Sequence, residues 1–278
     1  MTSEEKWLLD EKYAGLETSE YEADKKRLAS LEPLAYVIGH QPFLGLKIYL
    51  DSHPLIPRPE TEWWTEQLLT QCKDGMFSRR ESRSATAREE AIFQQKNTPL
   101  SSRELPSEQL RFLDLCAGSG AIGCAALARL PNAHVYFGEI DPAHEKTILK
   151  NIRENHLDES RADIRIGDLF EPFSGGGNMQ FDIIASNPPY VPHGRELPIS
   201  VATYEPALAL KAGTDGLDYI HRIAKELPAR LAPGGVAWIE CDRGHADEAR
   251  TLFEEQGFNA LIRTDQYDKP RIVLVSFP

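Results

Sequence analysis

The most unusual chemistry in the chain stands at residues 187–190, where "DIIASNPPYVP" (182–192) carries an apolar run straight into Asn187, Pro188, Pro189 and Tyr190. Proline pushes the residue before it to extended backbone, fixes its own φ and lacks an N–H. The corner is therefore expected to be stiff and to present two acceptors, the Asn187 side-chain oxygen and the Pro188 carbonyl. Such a pair suits a planar NH2 group: each acceptor takes one hydrogen, orients the nitrogen, and favours the pyramidal form whose lone pair can attack an electrophilic methyl. Tyr190 offers a ring to stack on a flat substrate group. No strong general base is required, because the proton becomes acidic only as the methyl arrives. The plainer alternative is a proline-stiffened turn without chemistry.

A second constellation lies upstream. "FLDLCAGSGAIG" (112–123) spaces Gly118, Gly120 and Gly123 as GxGxxG between an expected strand and helix, with Glu139 ending the next strand. Glycines let backbone approach a ligand, the helix N-terminus faces it, and the acid accepts from ribose hydroxyls. A dinucleotide and S-adenosylmethionine both fit that pattern, as does a merely tight turn. Two acids separate the ligands. Asp114, inside the strand before the loop, is expected to put negative charge near the ligand's head, which favours an ammonium and sulfonium over a pyrophosphate. Asp168, in "RIGDLF", offers an acceptor for an adenine amino group with Leu169 to cover the ring, although an N-cap role fits it equally well.

Strands and helices must position these residues, and the pattern supplies them. From "RFLDLC" onward the chain alternates strand, loop and helix to the final "RIVLVSF", which predicts a mostly parallel sheet covered on both faces, with ligands outside the carboxyl ends of the strands. Ahead of it, residues 1–33 carry Leu8, Leu9, Tyr13, Leu16, Leu28 and Leu31 at spacings that suit a short helical module. Residues 34–56 read as a β-hairpin around Gly39 and Gly45, closed by Pro54 and Pro57. A helix is expected from Thr61 to about Gln71, carrying Trp63, Trp64, Leu68 and Leu69. Residues 73–107 lose apolar periodicity and read as an inserted, partly disordered loop within a 57–278 catalytic domain.

Composition narrows the function classes. With 278 residues and 41% hydrophobic content the chain can bury a full core, and its formal net charge of -12 argues against nucleic-acid binding through broad electrostatics. The four cysteines form no CxxC pair and no zinc-finger pattern, so a metal is not expected and the thiols read as reduced, in a cytoplasmic compartment. No apolar run approaches a membrane span, and "MTSEEKWLLDEKYAG" reads as neither a signal peptide nor a mitochondrial presequence.

Taken together the motifs resemble the peptide chain release factor glutamine N5-methyltransferases, the HemK/PrmC family of class I S-adenosylmethionine-dependent methyltransferases. The resemblance runs from about Leu34 to the C-terminus outside 73–107, and is carried by "LIPRPETE" (55–62), "LDLCAGSGAIG", "SNPPYVP" and "YEPALALKAGTDGLDYIHRI" (204–223). It implies a Rossmann-like α/β fold with a seven-stranded sheet and S-adenosylmethionine as cofactor. Cys116, Ala117, Gly118, Ser119, Gly120 and Glu139 would hold that cofactor. Asn187, Pro188, Pro189 and Tyr190 would hold the target, with Asn187 close to the methyl donor and Arg58, Pro59 and Glu60 shaping the wall. The implied substrate is the glutamine of the Gly-Gly-Gln loop of a class I release factor, methylated by a monomer. Three features depart from the family pattern: Cys116 stands where glycine is usual, the leading helical module is short, and the 73–107 insertion is atypical of bacterial members. The last is compatible with a mitochondrial-matrix or lineage-specific version. Three other readings use the same residues: an adenine-N6 methyltransferase of DNA or RNA, a glutamine methyltransferase of a ribosomal protein, and a cofactor-binding module without catalysis.

Overall fold

The computed structural model describes residues 1–73, 109–175 and 179–278. Apart from Lys73, the expected inserted loop lies outside the described residues.

Helices α1 (Ser3–Tyr13) and α2 (Ser19–Ala29) open the chain. Thr2 caps α1 reciprocally: its hydroxyl accepts from the Glu5 N–H while the Glu5 carboxylate accepts from the Thr2 N–H. Leu8, Tyr21 and Val37 form a small core between the leading helices, and Asp24 on α2 accepts from Lys12 and Tyr13 on α1. Residues 34–38, assigned to the hairpin by alternation, instead form a short helix, α3 (Leu34–Ile38), ended by Gly39 at φ 96°. Five residues are too few for periodicity to separate the two conformations. The hairpin proper is β1 (His40–Phe43) and β2 (Leu46–Tyr49), antiparallel with Phe43 opposite Leu46. Its turn residues Leu44 and Gly45 have φ of 50° and 85°, both in the left-handed region that matches strand twist in two-residue hairpins.

Helix α4 (Pro59–Lys73) begins on proline, where a missing N–H costs nothing, and carries Glu60 and Glu62 in its first turn. It buries Trp64, Leu68 and Leu69. Beyond it the main body alternates β3 (Leu110–Leu115), α5 (Ala121–Arg129), β4 (Ala133–Glu139), α6 (Glu145–Glu154), β5 (Ala162–Ile166) and β6 (Phe181–Ser186). The short α7 (Ile199–Tyr204) leads to α8 (Asp218–Arg230), β7 (Leu231–Glu240), α9 (Ala246–Glu255), β8 (Asn259–Thr264) and β9 (Pro270–Ser276). The sheet order is β5-β4-β3-β6-β7-β9-β8, with β9 antiparallel to both neighbours and the remaining pairings parallel. The strand-and-helix rhythm passes over β8, whose six residues begin and end on polar side chains.

Both faces of the sheet are buried, which is why its strands read as near-continuous apolar runs. Phe112, Val135, Phe137 and Ile183 face a core shared with α4, α5 and the hairpin. Their sequence neighbours Leu113 and Ile184 face a second core with Ile220 and Leu227 of α8 and Phe253 of α9. Side-chain amides dock the hairpin. The Asn151 Oδ1 accepts from Tyr49 N–H at 2.6 Å and its Nδ2 donates to Tyr49 O and Ser119 O, while Asn155 pairs in the same way with both backbone groups of Lys47. Helix α6 thus satisfies the edge of β2 and ties it to the glycine loop.

Gly123 brings α5 close against β4: a Cβ there would lie 2.2 Å from Phe137 Cε1. Gly123→Ala is expected to destabilise the protein by about 2 kcal/mol through overpacking, despite a helix-propensity gain of about 1 kcal/mol. The measurement is a lowered urea midpoint at unchanged slope.

Candidate active site

At the carboxyl edge of the sheet the loops after β3, β4, β5 and β6 converge. The glycine loop after β3 uses left-handed backbone at alternate residues, Cys116 (φ 62°), Gly118 (55°) and Gly120 (77°). Cys116 therefore occupies a conformation that disfavours L-residues by about 1–2 kcal/mol, and this accounts for the glycine usual at that position in the family it resembles. Ala117 N–H donates to Gly138 O at 3.0 Å, Gly120 N–H donates to Ala117 O at 2.7 Å, and Ser119 is buried. Gly120 also caps α5.

Glu139, at the end of β4, is 6% exposed and holds two loops together. Its Oε2 accepts from Gly118 N–H at 2.7 Å and its Oε1 from Asp141 N–H at 2.9 Å. After β5, Asp168 pairs through Oδ2 with the Arg222 guanidinium at 2.7 Å, while its Oδ1 is buried without a partner. Leu169 beside it is buried with φ 46°. A cleft runs between these segments, lined by Cys116, Gly118, Glu139, Asp168 and Leu169 and by Asn187 and Pro189. Leu55, Ile140, Pro206, Leu208 and Tyr219 also line it; Leu55 opens "LIPRPETE" and Pro206, Leu208 and Tyr219 lie in the 204–223 segment, but the sequence alone assigned none of them a role.

Asp114 is not where the charge argument put it. The side chain is fully buried and absent from the cleft wall; its Oδ2 accepts from Gly123 N–H at 2.8 Å, in the first turn of α5. Burial, partly offset by that hydrogen bond, pushes its pKa up to about 8. A neutral carboxyl that fixes the loop-to-helix junction replaces the expected negative charge at the ligand's head.

The asparagine corner follows β6 directly. Ser186 is anchored by its hydroxyl donating to Leu115 O at 2.7 Å. Asn187 is half-buried, Pro188 and Pro189 are buried, and Asn187 Nδ2 donates to Thr61 Oγ1 at 3.1 Å. Thr61, in the first turn of α4, donates in turn to Glu240 Oε2 at 2.7 Å. Glu240, the last residue of β7, is 1% exposed and also accepts from Trp64 Nε1 at 2.7 Å and from Tyr190 Oη at 3.0 Å. Burial raises the Glu240 pKa, and the donors from Trp64, Thr61 and Tyr190 and the charge of Arg271 work against that rise. Burial and the Glu240 charge in turn raise the Tyr190 pKa well above the ordinary phenol value. The phenol is thus committed to the interior, and Tyr190 does not line the cleft.

Arg58 and Glu60 do not line the cleft either. Arg58 Nη2 donates to Glu205 Oε1 at 2.5 Å, and Glu205, buried, also accepts from Ile56 N–H at 3.3 Å. This clamp joins the "LIPRPETE" and "YEPALALK" segments, whose Leu55 and Pro206 supply the wall. Glu60 sits in the first turn of α4. Thr61 and Glu240 were missed altogether, although "VAWIECD" places an acid at the end of an apolar strand on the site's edge, the one signal that points to it.

With the geometry in place, the chain can be set beside known proteins. The family profile described as conserved hypothetical protein 95 matches residues 87–209. A protein of Geobacter sulfurreducens named release factor glutamine methyltransferase is 33% identical over 234 residues, covering 84% of this chain and 68% of its own. One of the same name from Chlamydia trachomatis serovar L2 is 30% identical over 235 residues, with the same coverage. Among solved structures, the catalytic domain of hMettl16 with an RNA hairpin aligns at a TM-score of 0.53 and 16% identity over 84% of this chain and 76% of that one, a likeness of fold.

The Asp114 geometry sets a pH dependence. An unfolded aspartate loses its proton near 3.9, whereas folded Asp114 keeps it to about 8. Between those values the folded state binds the extra proton, so this residue's contribution to stability falls as pH rises from about 4 to about 8. Asp114→Asn should therefore gain stability relative to the parent as pH rises from 5 to 8. Parallel urea titrations check it; a difference independent of pH contradicts the assignment.

Proposed function

We propose the following reaction for this chain, which belongs to the release factor glutamine methyltransferase family: transfer of a methyl group from S-adenosylmethionine to the side-chain amide nitrogen of a release-factor glutamine. The observation that carries it is the meeting, in one cleft, of the Glu139-braced glycine loop and the Asn187 corner.

The cleft fits the cofactor on its own chemistry. Asp168 Oδ1 is a buried acceptor without a donor, suited to an adenine amino group, and Leu169 and Ile140 supply apolar cover for a flat ring. Glu139, also on the cleft wall, is suited to ribose hydroxyls, and Cys116 and Gly118 leave the backbone open to the ligand's chain. When bound, S-adenosylmethionine supplies an electrophilic methyl on a positively charged sulfur.

The chain's own residues do the rest. A glutamine carboxamide is planar, its nitrogen lone pair delocalised and poorly nucleophilic. Asn187 Oδ1 and the Pro188 carbonyl accept one hydrogen each, hold the NH2 against the cleft and favour pyramidal nitrogen. The rigidity of two successive prolines keeps both acceptors in place without cost at the moment of reaction. Tyr190, its hydroxyl tied to Glu240, braces the corner from the interior instead of stacking on the carboxamide. The apolar Leu55, Pro206 and Leu208 exclude water around the transferring group. The proton leaves to solvent after the nitrogen has gained charge, so no residue is required as a base.

The Gly-Gly-Gln loop of a class I release factor is the intended substrate, since a glutamine preceded by glycines on a loop presents its carboxamide with little bulk beside it. Free Cys72, Cys116, Cys124 and Cys241 suit a reducing, cytoplasmic setting. Among the described residues no helix is long and apolar enough to cross a membrane.

Labelled cofactor incubated with a release factor tests the reading directly: label should enter the release factor and not an adenine-containing oligonucleotide, and the reverse result would overturn it. Asn187→Ala is expected to lower turnover by about 10²–10³-fold, as for loss of a preorganised polar contact, with cofactor affinity largely kept. Glu139→Ala should raise the cofactor dissociation constant by about 10–100-fold, the equivalent of one charge-assisted hydrogen bond. Calorimetry and single-turnover rates separate the two.

A further inference from the structure

We propose that Thr61 and Glu240 are positioning residues that decide which end of the Asn187 side-chain amide faces the substrate. This rests on the reading that Asn187 accepts a hydrogen from the substrate NH2. A carboxamide has two ends of nearly equal shape, one an acceptor and one a double donor. Packing alone cannot tell them apart, and the wrong end would set an NH2 against the substrate's own NH2.

Hydrogen-bond direction can tell them apart, and here it runs one way. Trp64 Nε1–H has only a hydrogen to give, and it lies 2.7 Å from Glu240 Oε2. That oxygen therefore accepts, and a donor pointing at it makes it the disfavoured oxygen for a proton: the carboxyl is ionised or carries its proton on Oε1 toward Tyr190. Thr61 Oγ1 lies 2.7 Å from the same oxygen and donates to it. A hydroxyl has one hydrogen, so once it is committed to Glu240 the Thr61 oxygen can only accept. Asn187, 3.1 Å away, must then present its NH2 to Thr61. Its Oδ1 is left facing away from Thr61, on a residue that lines the cleft. A flipped amide would bring two acceptors together at the same distance.

The chain of donors runs Asn187 to Thr61 to Glu240, from the corner after β6 through the first turn of α4 to the end of β7. Ser186 pairs with Ile239 across β6 and β7, so the register of the two strands sets the residues that follow them, Asn187 and Glu240, at the same edge. Glu240 is 1% exposed and its oxygens are occupied by Trp64, Thr61 and Tyr190. It acts through Thr61, not on the substrate.

The orientation is measurable in the protein without cofactor or substrate. Nuclear Overhauser contacts from the Asn187 side-chain NH2 protons to the Thr61 methyl and β protons are expected in the parent protein, with slow exchange of those NH2 protons. Fast exchange and no contact to Thr61 would overturn the proposal. Kinetically, Thr61→Val, which keeps the shape and removes the hydroxyl, should lower kcat by about 10–100-fold while KM for the release factor and cofactor affinity stay within about threefold. Thr61→Ser should recover most of the rate. A Thr61→Val protein with parental kcat, or a Thr61→Ser protein as slow as Thr61→Val, contradicts it. Should Thr61→Val not fold, the parent's NH2 contacts decide the matter. A parent protein that does not methylate a release factor removes the proposed reaction, whereas the NH2 contacts still test the orientation.

Discussion

The reversal of strand order at β3 is the constraint from which the site follows. Strand β4 lies on one side of β3 and β6 on the other, so the loops leaving β3 and β6 must part and open a crevice at the carboxyl edge. The glycine loop can enter that crevice because its backbone turns left-handed at Cys116, Gly118 and Gly120. Glu139 then fixes the loop from β4, and Asn187 reaches the same space from the end of β6. Helix α6, through Asn151, holds the hairpin on the outside of the glycine loop.

Polar groups buried beneath this edge carry the specificity. Glu240 and Asp114 are both removed from water, and each would be costly if left bare. Asp114 meets the cost with one hydrogen bond and a raised pKa, which suits a residue that pins a helix start. Glu240 meets it with hydrogen bonds from three side chains, Thr61 and Trp64 of α4 and Tyr190 of the asparagine corner, which makes it a junction among α4, that corner and β7. Removing one donor leaves the remaining groups mispaired, so such a junction specifies geometry more than it adds stability.

Much of this was legible in the chain because its signals are local. The strand-and-helix alternation, the glycine spacing, the acid ending the next strand and the Asn-Pro-Pro-Tyr corner lie within short windows, and the family motifs stand in order along the sequence. The parts that were not legible depend on which face a side chain takes and on partners far away. Asp114 was read as a ligand contact because strand position alone does not say that its carboxyl turns under the helix. Arg58 pairs with Glu205 and Thr61 with Glu240, across separations of 147 and 179 residues, respectively, that no local pattern records. Asn151 and Asn155 read as ordinary helix residues, and their service to the edge of β2 appears only when the hairpin folds back.

The central claim is that the cleft methylates a planar amide nitrogen, and the position of the added methyl is its most direct test. Tandem mass spectrometry of a release factor incubated with this protein and S-adenosylmethionine should place one added methyl on the side-chain nitrogen of the glutamine in its Gly-Gly-Gln loop. A methyl on an oxygen or on another residue, or an unmodified glutamine alongside a methylated nucleic acid, would contradict the account.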